Sequence, residues 1–188
     1  MCFSFEISIG TFLFSWIISI YLLKKGLKKR QKQHVITLMI FSTIQLADAL
    51  LWYSKFKRNN LNYYVTSVVI PAILCIQILY NLFVMGEGKY TYLNYIAIVM
   101  CVYIFIRFNG YSKSLCNNKF SSPIWGSNDL ELWELLIFAF MIFVPLWKPL
   151  FLTIIILIPA IHIFAGGAYG SLWCAISNIY ALYYLYKF

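Results

Sequence analysis

Seven apolar stretches, at 7–23, 35–53, 63–85, 91–107, 131–147, 149–165 and 170–186, follow one another along this chain of 188 residues. Each is close to the roughly 20 residues that an α-helix needs to cross a bilayer. Hydrocarbon offers a backbone no hydrogen-bond partner, and a helix satisfies its own. The stretches therefore predict an all-α membrane protein, a seven-transmembrane-helix bundle forming one polytopic domain over 1–188. Charged residues make up only 11% of the chain and hydrophobic residues 62%, against about 25% charged in soluble domains.

The breaks between stretches agree with this. Lys24 to Gln33 is strongly basic, Lys55 to Asn62 polar, Gly86 to Lys89 a short turn, and Trp147-Lys148-Pro149 a tight hairpin. Gly166 and Gly167 divide the last two stretches. Met1–Gly10 carries no positive charge ahead of its apolar residues, so the first stretch is expected to be a retained span and not a signal peptide. Pro71 and Pro159 interrupt spans as in transporters built from repeats, but no internal motif repeats.

Orientation follows from the positive charge of short loops. With the first loop cytoplasmic, Lys24, Lys25, Lys28, Lys29, Arg30, Lys32, Lys89, Lys148 and Lys187 lie inside, and Lys55, Lys57, Arg58, Arg107, Lys113 and Lys119 outside. The expectation is N-terminus out and C-terminus in. The net charge of +9 sits beside apolar spans, which points to the lipid bilayer as partner, with anionic headgroups at the basic 24–32 loop, and away from nucleic acid. Self-association into a homo-oligomer is left open.

In this topology the polar residues of the spans gather in the outer half. Glu6 opens span 1, Gln45, Asp48 and Trp52 share a face of span 2, and Glu131 and Glu134 begin span 5. His162 nears the outer end of span 6, and Ser171, Cys174 and Asn178 share a face of span 7 beside Trp173. Asp48 stands out, since an Asp at mid-span costs about 2.5–3.5 kcal/mol and such groups mark pathways or sites. Gln45, Ser171 and Asn178 are equally readable as packing glue at about 0.6 kcal/mol each. Trp52, Trp125, Trp133 and Trp173 are readable as an interfacial belt, and the Phe108 to Leu130 connection is long enough to cover a cavity.

Three chemistries fit such a cluster. The first is transport, conduction or sensing of a small solute or ion in an outer-half cavity, with Glu6, Gln45, Asp48, Trp52, Glu134, His162, Ser171, Trp173, Cys174 and Asn178 as binding or pathway residues. The second is a membrane-embedded enzyme acting on lipid, with Cys2, Glu6, Asp48 and His162, and Cys174 beside them, as metal ligands. No HExxH or CxxC spacing supports it, and of the two histidines His34 lies on the opposite, basic side. The third is a structural protein of a viral membrane. No cofactor is called for, and 170–186 has no interior lysine for a retinal Schiff base. Cys2 and Cys174 are placed where a bridge between the first and last spans is open to them, while Cys75 and Cys101 read as apolar packers.

The opening Met1-Cys2-Phe3-Ser4 with Ser8, the Gln45, Asp48, Trp52 set, and Gly170-Ser171-Leu172-Trp173-Cys174 resemble an uncharacterised seven-transmembrane family of bacteria and large DNA viruses. In that family a Glu is usual where Asp48 stands. The resemblance implies a shared site at the outer ends of spans 1, 2 and 7, and no activity. Abundant Ile, Tyr, Phe, Asn and Lys suggest an AT-rich genome and the viral branch, hence a host-cell or virion membrane.

Overall fold

The computed structural model describes residues 4–117, 120–126, 131–144, 146 and 169–188, with the backbone alone at 115–117, 120–122 and 169–175. These residues are mostly helical. Three helices are long and apolar enough to cross a membrane: Phe5–Lys24, Lys29–Tyr53 and Asn60–Met85, of 20, 25 and 26 residues, with mean hydropathies of 1.7, 1.7 and 2.3.

Helix α1 (Phe5–Lys24) starts at Ser4, whose hydroxyl accepts from the backbone N–H of Ile7 at 3.3 Å. The serine of the opening motif is thus a helix cap, of the type preferred at N-termini. The buried residues Ser8, Ser15, Ile18, Ser19 and Leu22 fall on one stripe, and small side chains there let neighbouring backbones approach. Gly26, at φ +73°, turns the chain after α1 in a conformation that glycine adopts without strain.

The second long helix begins at Lys29, six residues before the apolar stretch at 35, so hydropathy alone misses its basic first turns. Those turns are useful: Arg30 Nη1 donates to Met85 O at 2.5 Å and Gln33 Nε2 to Val84 O at 3.3 Å. Both therefore satisfy carbonyls at the C-terminal end of the third helix, where a cation also meets the helix dipole. The helix is divided into α2 (Lys29–Ser42) and α3 (Ile44–Tyr53). At the break, Ser42 Oγ and Thr43 Oγ1 both donate to Met39 O, at 3.1 and 2.7 Å, and such back-bonding bends helices.

The third helix alternates α4 (Asn60–Tyr64), a π-turn at Val65–Val69, α5 (Ile70–Leu79) and a second π-turn at Tyr80–Met85. Pro71 explains the first π-turn: it has no N–H for the carbonyl four residues back, and the wider turn makes room for its ring. Asn81, in the second, ties three elements together. Its Oδ1 accepts from Thr37 Oγ1 of α2 at 3.1 Å, and its amide donates to Ile142 O.

A 3-10 turn (Thr91–Leu93) leads into α6 (Asn94–Arg107), and α7 (Leu132–Phe143) and α8 (Tyr169–Lys187) complete the described helices. With 14 and 12 residues, α6 and α7 are shorter than a full crossing. The stretch expected at 149–165 lies outside the described residues.

The long connection after α6 holds an antiparallel pair, β1 (Lys113–Asn117) and β2 (Phe120–Ile124), in register from Lys113 opposite Ile124 to Asn117 opposite Phe120. It sits at the end of the bundle that carries Phe5 and Tyr53, here the hairpin end. The opposite end carries the basic turn at 24–29. Helix α1 packs on α2, α3 and α8, α2 also on α5, and α5 on α6 and α7. One core joins Ile44, Leu51, Ile70, Phe108 and Phe138, and a smaller one at the basic end joins Leu22, Val35, Leu38 and Tyr184.

Candidate functional site

Asp48 and Gln45 are one helical turn apart on α3, and both are fully buried. Each has one end of its side chain fixed. The indole Nε1 of Trp125 donates to Asp48 Oδ1 at 2.8 Å, and the Gln45 amide donates to Ser177 Oγ on α8. The other ends, Asp48 Oδ2 and Gln45 Oε1, have no hydrogen-bond partner among the described residues, nor do the buried Ser8 Oγ and Trp52 Nε1.

Depth along the helices brings Ser8 and Asp48 to nearly one level. The rings of Phe5 and Tyr53 lie 6.2 Å apart and register the antiparallel helices α1 and α3. Ser8 is three residues in from Phe5 and Asp48 five in from Tyr53, about 4.5 and 7.5 Å at 1.5 Å per residue. One level further in, Ser15 Oγ donates to Asn178 Oδ1 at 3.1 Å, so α1, α3 and α8 meet along a polar seam. The seam is helix glue where its members are paired, as Ser15 with Asn178 and Ser19 Oγ with Ser15 O at 2.7 Å. Beside Asp48 it is not.

Trp125 follows β2, and the hairpin is held in place by a second set of buried polar groups. Asn62 Nδ2 donates to Ser112 O at 3.0 Å, and Ser112 N donates to Asn62 Oδ1 at 2.9 Å. Thr66 Oγ1 joins both, 3.0 Å from Asn62 Oδ1 and 2.7 Å from Ser112 Oγ. Ser67 Oγ takes the N–H of Gly110 at 3.0 Å. Gly126, at φ +85°, then lays the backbone on Arg107 and Phe108, where an added Cβ would sit 3.4 Å from Arg107 O. The Trp125 ring meets Phe108 edge-on at 6.2 Å and 72°.

Glu134 belongs to a different cluster. Arg107 Nε and Nη2 donate to its two oxygens at 2.6 and 3.2 Å, Tyr103 OH donates to Oε1, and the backbone N–H of Glu131 donates to Oε2 at 2.7 Å. This bidentate pair saturates the carboxylate. Phe108 and Phe138, 6.4 Å apart, stand between it and Trp125. Glu6 is exposed on the first turn of α1 and not turned into the seam.

Of the residues singled out in the sequence, Gln45, Asp48 and Trp52 lie along one face of α3, and Asn178 joins the seam through Ser15. His162 and Cys2 lie outside the described residues, as do the side chains of Ser171, Trp173 and Cys174. Among the described residues no group of three His, Cys, Asp or Glu side chains is placed to hold a metal. Sequence reasoning missed Ser8, Ser15 and Ser177 as members and Trp125 as the partner of Asp48. The serines were legible in part, since Ser8, Ser15 and Ser19 repeat at helical spacing, and Ser177 lies three residues after Cys174. An apolar crevice between Leu38, Phe41, Phe143 and Tyr180 lies toward the basic end and holds none of these groups.

The fold and site define a mostly helical protein with helices long and apolar enough for a membrane and a carboxylate buried in one of them. Comparison with protein-family models, curated proteins and solved structures finds no match.

Proposed function

We propose that this is a seven-span integral membrane protein, N-terminus out and C-terminus in, that transports, conducts or senses a small solute or ion at a site centred on Asp48. One observation carries the reading. Asp48 is fully buried within a 25-residue apolar helix, and one carboxylate oxygen is unpartnered among the described residues. A buried charge or acid left so is expensive, and a bound solute or ion offsets that cost.

Further features support the setting. Ile17, Tyr95, Val99, Val102, Ile106 and Ile179 are all more than 60% exposed or close to it on the outer faces of α1, α6 and α8, a surface suited to lipid and unsuited to water. The basic turn carries Lys25 over the Tyr21 ring at 4.8 Å, a placement suited to anionic headgroups, while Arg30 is spent on the third helix. A host-cell or virion membrane is the location the resemblance suggests.

Trp125 is the outer cover in this reading: it is the one described side chain that hydrogen-bonds Asp48, and it comes from the hairpin and not from a span. The test is flux in proteoliposomes loaded with a panel of ions and small solutes. Wild type is expected to pass or bind at least one of them, with loss in Asp48→Asn. Equal behaviour of wild type and Asp48→Asn across the panel would sink the reading.

A further inference from the structure

We propose that the crevice between α2, α7 and α8 holds one acyl chain of an anionic phospholipid, whose phosphate lies at the basic end of the same groove beside Lys187. The inference needs the membrane setting of the proposed function and is independent of what Asp48 does.

Two ladders in register build the groove. His34, Leu38 and Phe41 follow at i, i+4 and i+7 on α2, and Tyr180, Tyr184 and Lys187 at the same spacing on α8, so each set lies along one face. Tyr184 OH and His34 Nδ1 meet at 3.4 Å. The two helices are antiparallel, so Leu38 falls beside Tyr180 and Arg30 beside Lys187, and both cations are electrostatic neighbours of His34. Deeper in, Phe143 and Leu146 complete the crevice, with the rings of Phe41 and Phe143 5.6 Å apart.

The walls select a chain of methylenes. Thr37 also lines the crevice, but its hydroxyl is spent on Asn81 Oδ1 and Gln33 O, both at 3.1 Å, and the Tyr184 hydroxyl on His34. Such walls offer water little. The crevice has about 270 Å³ of empty space, its open side included. Spread over about 10.5 Å from His34 to Phe41, at 1.5 Å per residue, this is a channel about 5 Å across, too narrow for a helix of about 10–12 Å. From Arg30 to Phe41 is about 16.5 Å, close to the roughly 15 Å of hydrocarbon in one leaflet.

Charge selects the headgroup. Lys28, Lys29, Lys32 and Lys187 join Arg30 at the basic end, and Glu87 is the one acid there among the described residues. The described residues give none of these an ion pair. Arg30 is bonded to Met85 O, and Lys187 Nζ donates to Tyr183 OH at 2.9 Å, so both cations are held at the mouth of the groove. A phosphate there meets a positive field, whereas a zwitterionic headgroup brings its own cation into it.

The test uses the full chain in nanodiscs. Phosphatidylglycerol or phosphatidylcholine with a diazirine in its acyl chain is added at rising mole fraction, and the photolabelled positions are read by mass spectrometry. Labelling at Leu38, Phe41 and Tyr180 should saturate, and at a lower mole fraction with phosphatidylglycerol than with phosphatidylcholine. Labelling of Val99 and Ile106 on the exposed face of α6 should rise in proportion to the probe. Lys187→Gln should raise the half-saturating fraction about fivefold, the effect of one cation at an anionic headgroup, and Leu38→Trp, which fills the crevice, should remove the saturable part. Crevice labelling that is absent, or that rises in proportion as on α6, overturns the proposal and leaves the crevice to another part of the chain or to a second copy, whether or not Leu38→Trp folds. Equal saturation by the two lipids overturns it too, because the cations then select nothing. Label missing from α6 as well would also count against the membrane setting, which failure at the crevice alone leaves standing.

Discussion

Asn62 and Ser112 exchange two hydrogen bonds, side-chain amide to backbone in each direction, at 3.0 and 2.9 Å. A residue on the third helix thereby pairs with the chain after α6 much as a strand would, and every polar atom Asn62 offers is used, with Lys57 O as its remaining partner at 3.1 Å. This is what sets the height of the hairpin above Asp48. Asn62→Ala should leave Ser112 O unpaired, and Ser112 N with Thr66 Oγ1 alone at 3.2 Å, at a cost of about 1–3 kcal/mol. Hydrogen exchange should then rise across 112–117 and 120–125, and unchanged protection would show that the hairpin is held by other contacts.

Trp125→Phe keeps a ring against Phe108 and removes the N–H that meets Asp48. The expected loss of stability is between about 0.6 kcal/mol, the average for hydrogen bonds between membrane helices, and about 3 kcal/mol for a bond to a charged group. In a double-mutant cycle with Asp48→Asn the two changes should be non-additive by about 0.5 kcal/mol or more. Additive effects would mean that the bond contributes nothing of its own.

Gly126→Ala tests the seat of Trp125 from the backbone side. A left-handed residue other than glycine costs about 1–2 kcal/mol, and the added methyl would meet Arg107 O and the Phe108 ring at ordinary contact distances of 3.4 and 3.5 Å, so the backbone conformation carries the cost. The variant should unfold at a lower temperature than wild type and should lose part of any function that requires Trp125. Full retention of both would show that the chain has another way round Phe108.

Arg107→Ala should be more harmful than Arg107→Lys, because it leaves Glu134, 2% exposed, without its cation. Truncation is expected to cost about 1.5–3 kcal/mol, the range for hydrogen bonds to charged groups. Lysine restores the charge but not the fork that meets both carboxylate oxygens, so it should recover part of the loss. Thermal unfolding of the two variants beside wild type is the measurement, and equal stability of alanine and lysine forms would put the whole effect on the missing geometry.

What was legible in the sequence was whatever is local. Apolar length places α1, α6 and α8 within a few residues of their observed ends, and the end of α3 at Tyr53, because a helix satisfies its backbone from its own residues. Asp48, Gln45 and Trp52 declared themselves as a face for the same reason. The hairpin was not legible: Lys113–Asn117 and Phe120–Ile124 are short, mixed in polarity and interrupted by Pro123, and their pairing depends on Asn62, some 50 residues away. The link between Trp125 and Asp48 spans 77 positions, and no periodicity carries information over that distance. The basic first turns of α2 escaped because a hydropathy window cannot distinguish a charged helix from a charged loop.

The two π-turns of the third helix have a consequence for how the bundle could move. Each widened turn presents side chains to neighbouring elements: Thr66 and Ser67 reach the chain entering the hairpin from the first, and Asn81 reaches α2 and α7 from the second. A widened turn that tightened to an ordinary α-turn would rotate all that follows it by about 100°, the angle between successive residues at 3.6 per turn. The hairpin grip at one end and the Asn81 knot at the other would then have to break together or not at all. The third helix is therefore built as a shaft with a key at each end, and a change of state at Asp48 that pulls on the hairpin would be felt at the basic end, some twenty residues away.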